Sequence, residues 1–183
     1  MIKPKLLFHV CCAPCSGLIS RELRKKFVVT VFYDNPNIYP REEFERRADE
    51  AENFFQKEGI EFILTDWEND AWLKLVEGLE TEPERGKRCK LCYHLRLKNT
   101  AEFAKENDFA YFTTSLIISP HKDKQIIFNL GRALAYEQGV KFLEEDFSAD
   151  NGYLKSVQFS KQNNFYRQKY CGCAFSDKNA IIK

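Results

Sequence analysis

Short apolar runs alternate with amphipathic segments along this chain, and the alternation predicts strands separated by helices. The apolar runs are rich in β-branched and aromatic residues, which is typical of buried strands. They lie at residues 6–10, 27–33, 61–65, 109–114 and 140–143.

The amphipathic segments predict helices with one buried face. They lie at residues 16–26, 41–57, 71–79, 92–105 and 124–138. Segment 41–57 has the clearest pattern, because its phenylalanines and alanines recur at helical spacing while Arg and Glu cover the other face. Gly139 is a predicted C-terminal cap for the last of these helices. After residue 150 the pattern is irregular and helical only in places.

Strands that alternate with helices indicate βαβ units and therefore a parallel sheet. A chain of 183 residues is long enough for one domain with its own core. We predict a single α/β domain over residues 1–183, with a mainly parallel sheet flanked by helices. The sheet core occupies residues 1–150, and residues 151–183 form a basic C-terminal segment.

Polar and sulfur-bearing residues follow three of the predicted strands. Cys11 follows the first strand, Asp34 follows the second and Ser115 follows the fourth. Ligands of open parallel sheets bind beyond the carboxyl ends of the strands. We therefore expect these side chains to face one crevice.

The seven cysteines fall into three tight clusters that lie far apart in the sequence. They are Cys11, Cys12 and Cys15, then Cys89 and Cys92, then Cys171 and Cys173. We expect the first two clusters to lie in loops of the sheet core and the third in the C-terminal segment. Because only folding can bring them together, they predict a metal or redox site built from three segments.

The cysteines are better explained as thiolates than as a disulfide framework. Seven is an odd number, so they cannot all pair. The N-terminal residues do not have the pattern of a secretory signal, and no apolar run approaches the roughly 20 residues that span a bilayer. We expect a cytoplasmic protein with no membrane partner, in which reducing conditions disfavour structural disulfides.

The spacing of the cysteines leaves the type of site open. Zinc and iron–sulfur clusters both accept cysteine-only ligand sets. A thiol–disulfide oxidoreductase is a third possibility, since Cys15 precedes the predicted helix 16–26, whose dipole would lower the pKa of that thiol. An ATP-binding loop is disfavoured after the first strand, because the loop has few glycines and Pro14 lacks an amide donor.

Positive charge is concentrated around two of the cysteine clusters. The net charge of the chain is only +1. However, residues 81–100 carry six Lys or Arg against two Glu, and residues 151–183 carry six against one Asp. Basic residues around a reactive centre favour a polyanionic partner such as a nucleic acid.

Four motifs in order resemble the QueH family of cysteine-rich epoxyqueuosine reductases. They are HVCCAPC at residues 9–15, YDNPNI at 33–38, RCKLCY at 88–93 and YRQKYCGC at 166–173. The resemblance implies reduction of epoxyqueuosine in the tRNA anticodon to queuosine. It also implies a [4Fe-4S] cluster, an additional mononuclear iron and an unidentified electron donor. The implied fold is that of the PP-loop and related HUP nucleotide-binding proteins, with the phosphate loop replaced by a cysteine metal loop.

The resemblance also implies roles for individual residues. The expected cluster ligands are Cys11, Cys12, Cys89 and Cys92. The expected catalytic residues are Cys171, Cys173 and Asp34, the two cysteines either as a redox-active disulfide or as ligands of a second iron. Cys15 and Asp34 are expected to serve that second iron.

Charged and aromatic residues near the motifs are candidates for contact with tRNA. The expected substrate-binding residues are Arg85, Lys87, Arg88, Arg167 and Tyr170, which combine phosphate contacts with stacking on an exposed base. The candidate proton donors are His9, His94, His121 and Tyr170. The alternative functions are a zinc-stabilised tRNA-binding module and a cytosolic thiol–disulfide oxidoreductase.

Overall fold

The computed structural model describes residues 2–176, in which a five-stranded parallel sheet lies between helices. The strands are β1 (Lys5–His9), β2 (Val28–Tyr33), β3 (Glu61–Leu64), β4 (Tyr111–Thr114) and β5 (Lys141–Phe142). Their order is β3-β2-β1-β4-β5, and every neighbouring pair is parallel. The predicted α/β class is confirmed. Met1 and residues 177–183, the end of the predicted basic segment, lie outside the described residues.

The helices cover both faces of this sheet. They are α1 (Ala13–Leu23), α2 (Arg41–Lys57), α3 (Asn69–Leu75), α4 (Lys87–Glu106), α5 (Lys124–Gln138) and α6 (Gly152–Gln162). A short 3₁₀ helix, Ser115–Ile118, follows β4. The bounds of α2 and α5 are those predicted, and Gly139 caps α5 in the left-handed conformation at φ 71°. Across residues 2–176, each helix is either too short or too polar to span a bilayer.

Strand β1 lies at the centre of the sheet and is buried on both faces. Its side chains alternate between the faces, as the pleat requires. Leu6 and Phe8 join the core formed with α1, α2 and α6, whereas Leu7 joins the core formed with α4 and α5. The sheet therefore holds the loop that follows β1 in a fixed position at its carboxyl edge.

Helices α1 and α4 begin earlier than the sequence pattern predicts, and both changes affect cysteines. Helix α1 begins at Ala13, so Cys15 lies inside its first turn and not before the helix. Proline is accepted there because the first amides of a helix have no partner within it. Helix α4 begins at Lys87, so Cys89 and Cys92 lie in a helix, and their predicted placement in a loop is wrong. The carboxylate of Glu82 accepts the amide of Lys87 at 2.9 Å and so stabilises this early start.

Helix α6, which the irregular pattern did not reveal, packs on α1 and supports the first cysteine loop. The contact is close because a Cβ atom at Gly17 would lie only 2.7 Å from the ring of Phe159. The Ser156 hydroxyl donates to the Pro14 carbonyl at 2.6 Å. The two contacts hold the start of α1 in place.

The chain after α6 returns to the carboxyl edge of the sheet. There the Tyr39 amide donates to the Gly172 carbonyl at 2.8 Å, and Ile38 forms an isolated antiparallel bridge with Cys173. The third cysteine cluster therefore lies against the loop that follows β2.

Candidate functional site

A cavity of about 240 Å³ lies at the carboxyl edge of the sheet and is lined by cysteines from all three clusters. We call it the thiol cavity. The cysteines that line it are Cys11, Cys15, Cys89 and Cys171. The prediction that distant clusters meet in one site agrees with this arrangement.

The first cluster forms the most compact group of sulfur atoms. The Sγ atoms of Cys11, Cys12 and Cys15 all lie within 4.8 Å of one another. Cys12 is the N-cap of α1 with an extended backbone, and Cys15 lies in the first turn. This change from extended to helical backbone lets two adjacent cysteines and a third direct their sulfurs to one point. Such a group can hold a metal ion or a metal cluster.

The three thiols of this group differ in pKa. Hydrogen bonds from the Cys12 and Cys15 thiols lower the pKa of Cys11 well below its usual value, and the nearby Lys122 and Arg96 act in the same direction. Donation to Cys11 raises the pKa of Cys12 to about 12, and that of Cys15 also rises. Of the three thiols, that of Cys11 therefore loses its proton most readily.

Protein groups donate hydrogen bonds to the cluster sulfurs. The Ser115 hydroxyl lies 3.8 Å from the Cys11 sulfur, and the Gln168 side-chain amide donates to Cys12 at 3.3 Å. The backbone amide of Arg85 donates to the Cys89 sulfur at 3.3 Å. Such hydrogen bonds orient and tune thiolate ligands of metals.

Cys92 lies one turn beyond Cys89, buried beside Arg96. Burial raises the pKa of the Cys92 thiol to about 11, and the guanidinium of Arg96 opposes this effect. Cys92 is not among the residues that line the thiol cavity, whereas Cys89 is. Residues three apart are neighbours on one helix face, so the two cysteines lie side by side on α4, with Cys92 the more deeply buried.

His9 belongs to a buried network below the site. Its Nδ1 lies 2.8 Å from the Thr114 hydroxyl, and its Nε2 lies 3.1 Å from the backbone oxygen of Asp34 and 3.4 Å from Arg96 Nε. Burial lowers the pKa of His9 to about 3, and Arg96 adds to this effect. The ring is therefore neutral at physiological pH, and it links β1 to Thr114 of β4 and to Asp34 after β2. The candidate His94 is exposed, whereas His121 lines the thiol cavity.

The structure does not bring the Asp34 side chain to the thiols. Its carboxylate accepts from Thr65 Oγ1 at 3.0 Å and from Asn99 Nδ2 at 2.9 Å. It lines a second cavity of about 490 Å³, together with Phe32, on the side of the sheet that packs against α4. Within residues 2–176, the compact ligand group around Cys11 contains no carboxylate. The expected role of Asp34 as a second-iron ligand therefore lacks support.

The two C-terminal cysteines have different surroundings. Cys171 lines the thiol cavity, whereas Cys173 is buried against Trp72 and Val76. Burial raises the pKa of the Cys173 thiol to about 12. All seven cysteines are free thiols in this structure. The fold thus brings Cys171, and not Cys173, to the site.

The candidate tRNA contacts divide into exposed and buried groups. Arg167 is exposed and lines the thiol cavity, and Arg85 and Lys87 are exposed at the start of α4. Arg88 is only 2% exposed, and its guanidinium donates to the carbonyls of Leu79, Glu80 and Glu82 at 2.6–3.0 Å. Because this cation holds the preceding turn, the predicted phosphate contact of Arg88 lacks support.

Several further residues of the cavity wall were not predicted from the sequence. Tyr170, which was, also lines the cavity, and its hydroxyl donates to the Tyr39 carbonyl at 2.9 Å. The further wall residues include Asn37, Tyr93, Arg96, Lys122, Gln168 and Lys169. Asn37 and Gln168 lie within the motifs at residues 33–38 and 166–173, and this position is the sequence signal that indicates them.

Comparison with known proteins identifies the family of the chain. A family model described as "Epoxyqueuosine reductase QueH" matches residues 6–179. The epoxyqueuosine reductase QueH of Streptococcus pyogenes serotype M1 is 39% identical, over 97% of this chain and 72% of that protein. The QueH of Thermotoga maritima is 34% identical, over 93% of this chain and 89% of that protein.

A solved structure supports the fold. The crystal structure of a predicted subunit of tRNA methyltransferase from Methanocaldococcus jannaschii aligns with a TM-score of 0.59, covering 90% of this chain and 93% of that one. The two sequences are only 10% identical, so this similarity shows the fold alone. The sequence matches go further, and by them this chain belongs to the QueH family of epoxyqueuosine reductases, which are oxidoreductases.

Proposed function

We propose that this chain reduces epoxyqueuosine in tRNA to queuosine at the thiol cavity, with a [4Fe-4S] cluster held by its cysteines. The observation that carries the proposal is the meeting of cysteines from three distant segments at one cavity in a chain of this family. Conversion of the epoxide to an alkene consumes two electrons and two protons and releases the oxygen as water.

The residues of the cavity fit an iron–sulfur cluster. Cysteine thiolates are the usual ligands of such clusters, and three sulfurs lie within 4.8 Å of one another with Cys89 in the same cavity wall. Hydrogen bonds to the sulfurs of Cys11, Cys12 and Cys89 come from the protein. Arg96 and Lys122 supply positive charge that offsets the negative charge of several thiolates.

We propose Cys11, Cys12, Cys89 and Cys92 as the cluster ligands. Cys15 is the first candidate for an additional mononuclear iron, because its sulfur lies beside those of Cys11 and Cys12. When bound, such centres supply single electrons and a Lewis-acidic iron for the oxygen atom that leaves.

The chain itself positions the substrate and supplies protons. Cys171 is the C-terminal thiol that faces the substrate, with Cys173 as its proposed partner in redox chemistry. Among the described residues, the wall groups that can hold a transferable proton near the cysteines include Tyr93, His121 and Lys122. An electron donor outside the chain renews the reducing equivalents, as two are consumed in each turnover.

Exposed cations around the cavity suit the phosphates of tRNA. Arg167 and Lys169 lie on the C-terminal side of the cavity, and Arg85 and Lys87 lie at the start of α4. They would hold the anticodon loop by its backbone while the modified base leaves the stack. A flipped base is needed because the sulfurs lie inside a cavity and not on a flat surface.

A conversion assay tests this function. Protein purified without oxygen is incubated with tRNA that carries epoxyqueuosine and with dithionite in place of the natural donor, and the nucleosides are analysed by mass spectrometry. We expect queuosine to appear, with the loss of one oxygen atom. Unchanged epoxyqueuosine with iron-loaded protein would refute the proposal.

A further inference from the structure

The amide of Asn37 is buried in the wall of the thiol cavity without a partner. Asn37 is 1% exposed, and within residues 2–176 neither its Nδ2 nor its Oδ1 has a hydrogen-bond partner. Buried amides are almost always bonded, since an unsatisfied donor or acceptor destabilises the fold. A group of this kind at a binding cavity points to a ligand that completes its hydrogen bonds.

Neighbouring amides in the same region have structural roles. Asn35 donates to the Val10 carbonyl at 2.9 Å and accepts from Arg96. Asn69 donates to the Pro36 carbonyl at 2.7 Å. The loop after β2 is therefore already held by other side chains, and Asn37 does not contribute to holding it.

A second amide in the cavity wall has a hydrogen-bond partner, among the described residues, for only one of its two polar atoms. Gln168 donates through Nε2 to the Cys12 sulfur at 3.3 Å, and its Oε1 is buried without a partner among the described residues. Asn37 belongs to the loop after β2 and Gln168 to the C-terminal segment. The two amides thus offer the cavity two acceptor oxygens and one donor NH2 group from separate segments.

We propose that Asn37 and Gln168 bind the hydroxylated ring of the substrate that carries the epoxide. This inference rests on the proposed function, and it makes the two amides specificity-determining residues. Each hydroxyl group has one proton to donate and lone pairs that accept. Two hydroxyls of the ring can therefore donate to Asn37 Oδ1 and Gln168 Oε1, and either can accept from Asn37 Nδ2.

Other ligand classes fit the two amides less well. A phosphate diester has no proton to donate, so it would leave the two amide oxygens unsatisfied. The base of the substrate offers donors, but the reacting ring is the part that must enter the cavity beside Cys11 and Cys15. The neutral ring is therefore the part of the substrate that Asn37 and Gln168 would contact.

The test compares the affinity of three forms of one tRNA. They carry, at the modified position, guanosine, 7-aminomethyl-7-deazaguanosine or epoxyqueuosine. Wild-type protein should bind the epoxyqueuosine form more tightly than the aminomethyl form, which has the same base without the ring. Asn37→Leu keeps the size of the side chain, and it should lower the ratio of these two affinities roughly tenfold. Its affinity for the guanosine form should stay within about twofold of wild type.

Variants and controls separate specificity from folding. Asn37→Asp keeps an acceptor and should lose less of the preference than Asn37→Leu. Asn129→Leu, an exposed amide on α5, should leave all three affinities unchanged. Iron content and thermal melting identify any variant that fails to fold. If Asn37→Leu fails to fold, the three affinities are compared between Gln168→Met and wild type instead.

The outcomes distinguish this inference from the proposed function. An unchanged preference in iron-loaded Asn37→Leu would overturn the inference while wild type still converts its substrate. An equal loss of affinity for the aminomethyl and epoxyqueuosine forms would assign the amide to the base, which also overturns it. Failure of wild type to convert epoxyqueuosine would instead refute the proposed function.

Discussion

Arg47 of α2 donates from Nη1 to the backbone oxygen of Cys171 at 3.2 Å. The guanidinium is only 1% exposed and pairs with Glu43 at 2.6 Å. A buried ion pair on the second helix therefore fixes the position of a cysteine located 124 residues further along the chain.

Replacing Arg47 should destabilise the fold and displace the C-terminal cysteines. Arg47→Met removes the donor to Cys171 and leaves the Glu43 carboxylate buried without its cation, a change that costs about 3 kcal/mol of unfolding free energy. Urea denaturation without oxygen measures the loss. Adding Glu43→Gln should restore part of the stability but not the turnover, because the contact with Cys171 is still missing. Recovery of full turnover in the double variant would contradict this role.

The two C-terminal cysteines should respond differently to substitution. Cys171→Ala should abolish turnover while the protein keeps its cluster, because this thiol lines the cavity but is not a proposed cluster ligand. Cys173→Ala should keep the cluster too and lower the stability by about 1 kcal/mol, since it removes a buried sulfur beside Trp72.

Turnover of Cys173→Ala then decides the chemistry of the pair. A redox-active disulfide requires both sulfurs, so this variant should be as inactive as Cys171→Ala. Turnover close to that of wild type would show that Cys173 has only a packing role. Iron and sulfide analysis of both variants serves as the control for the cofactor.

The cations around the cavity should differ in their effect on tRNA binding. Arg167→Ala removes an exposed charge and should reduce the slope of log K against log salt by about 1, because fewer counterions are released. Arg88→Ala should leave this slope unchanged and lower the melting temperature, because its guanidinium holds three carbonyls of the preceding turn. Fluorescence anisotropy at several salt concentrations measures both slopes. Equal slopes for Arg167→Ala and wild type would contradict the proposed phosphate contact.

Most of the fold could be predicted because its pattern is local. The apolar face of α2 and the glycine cap of α5 depend on residues within a few turns, and both were predicted with the correct bounds. The start of α4 was missed because Arg88 is buried by contacts with carbonyls, which an apolar periodicity does not reveal. Helix α6 was missed because its packing depends on the distant Gly17.

Many residues of the site could be predicted from the sequence, but the positions of their side chains relative to one another could not. The end of a strand shows which edge of the sheet a residue occupies, so Cys11 and Asp34 were expected to meet. Which cavity a side chain enters depends on the face to which it points, and Asp34 shares its face with Phe32. The unpartnered amide of Asn37 could not be predicted, because it depends on what every neighbour in the fold leaves unbonded.

The iron and acid-labile sulfide content of protein purified without oxygen tests the central claim most directly. The thiol cavity should hold about four irons and four sulfides per chain, and iron in excess of sulfide would indicate the additional mononuclear site. Cys11→Ala should lose most of both, because it removes a proposed cluster ligand from the compact sulfur group. A colourless protein that contains one zinc and no sulfide would contradict the account.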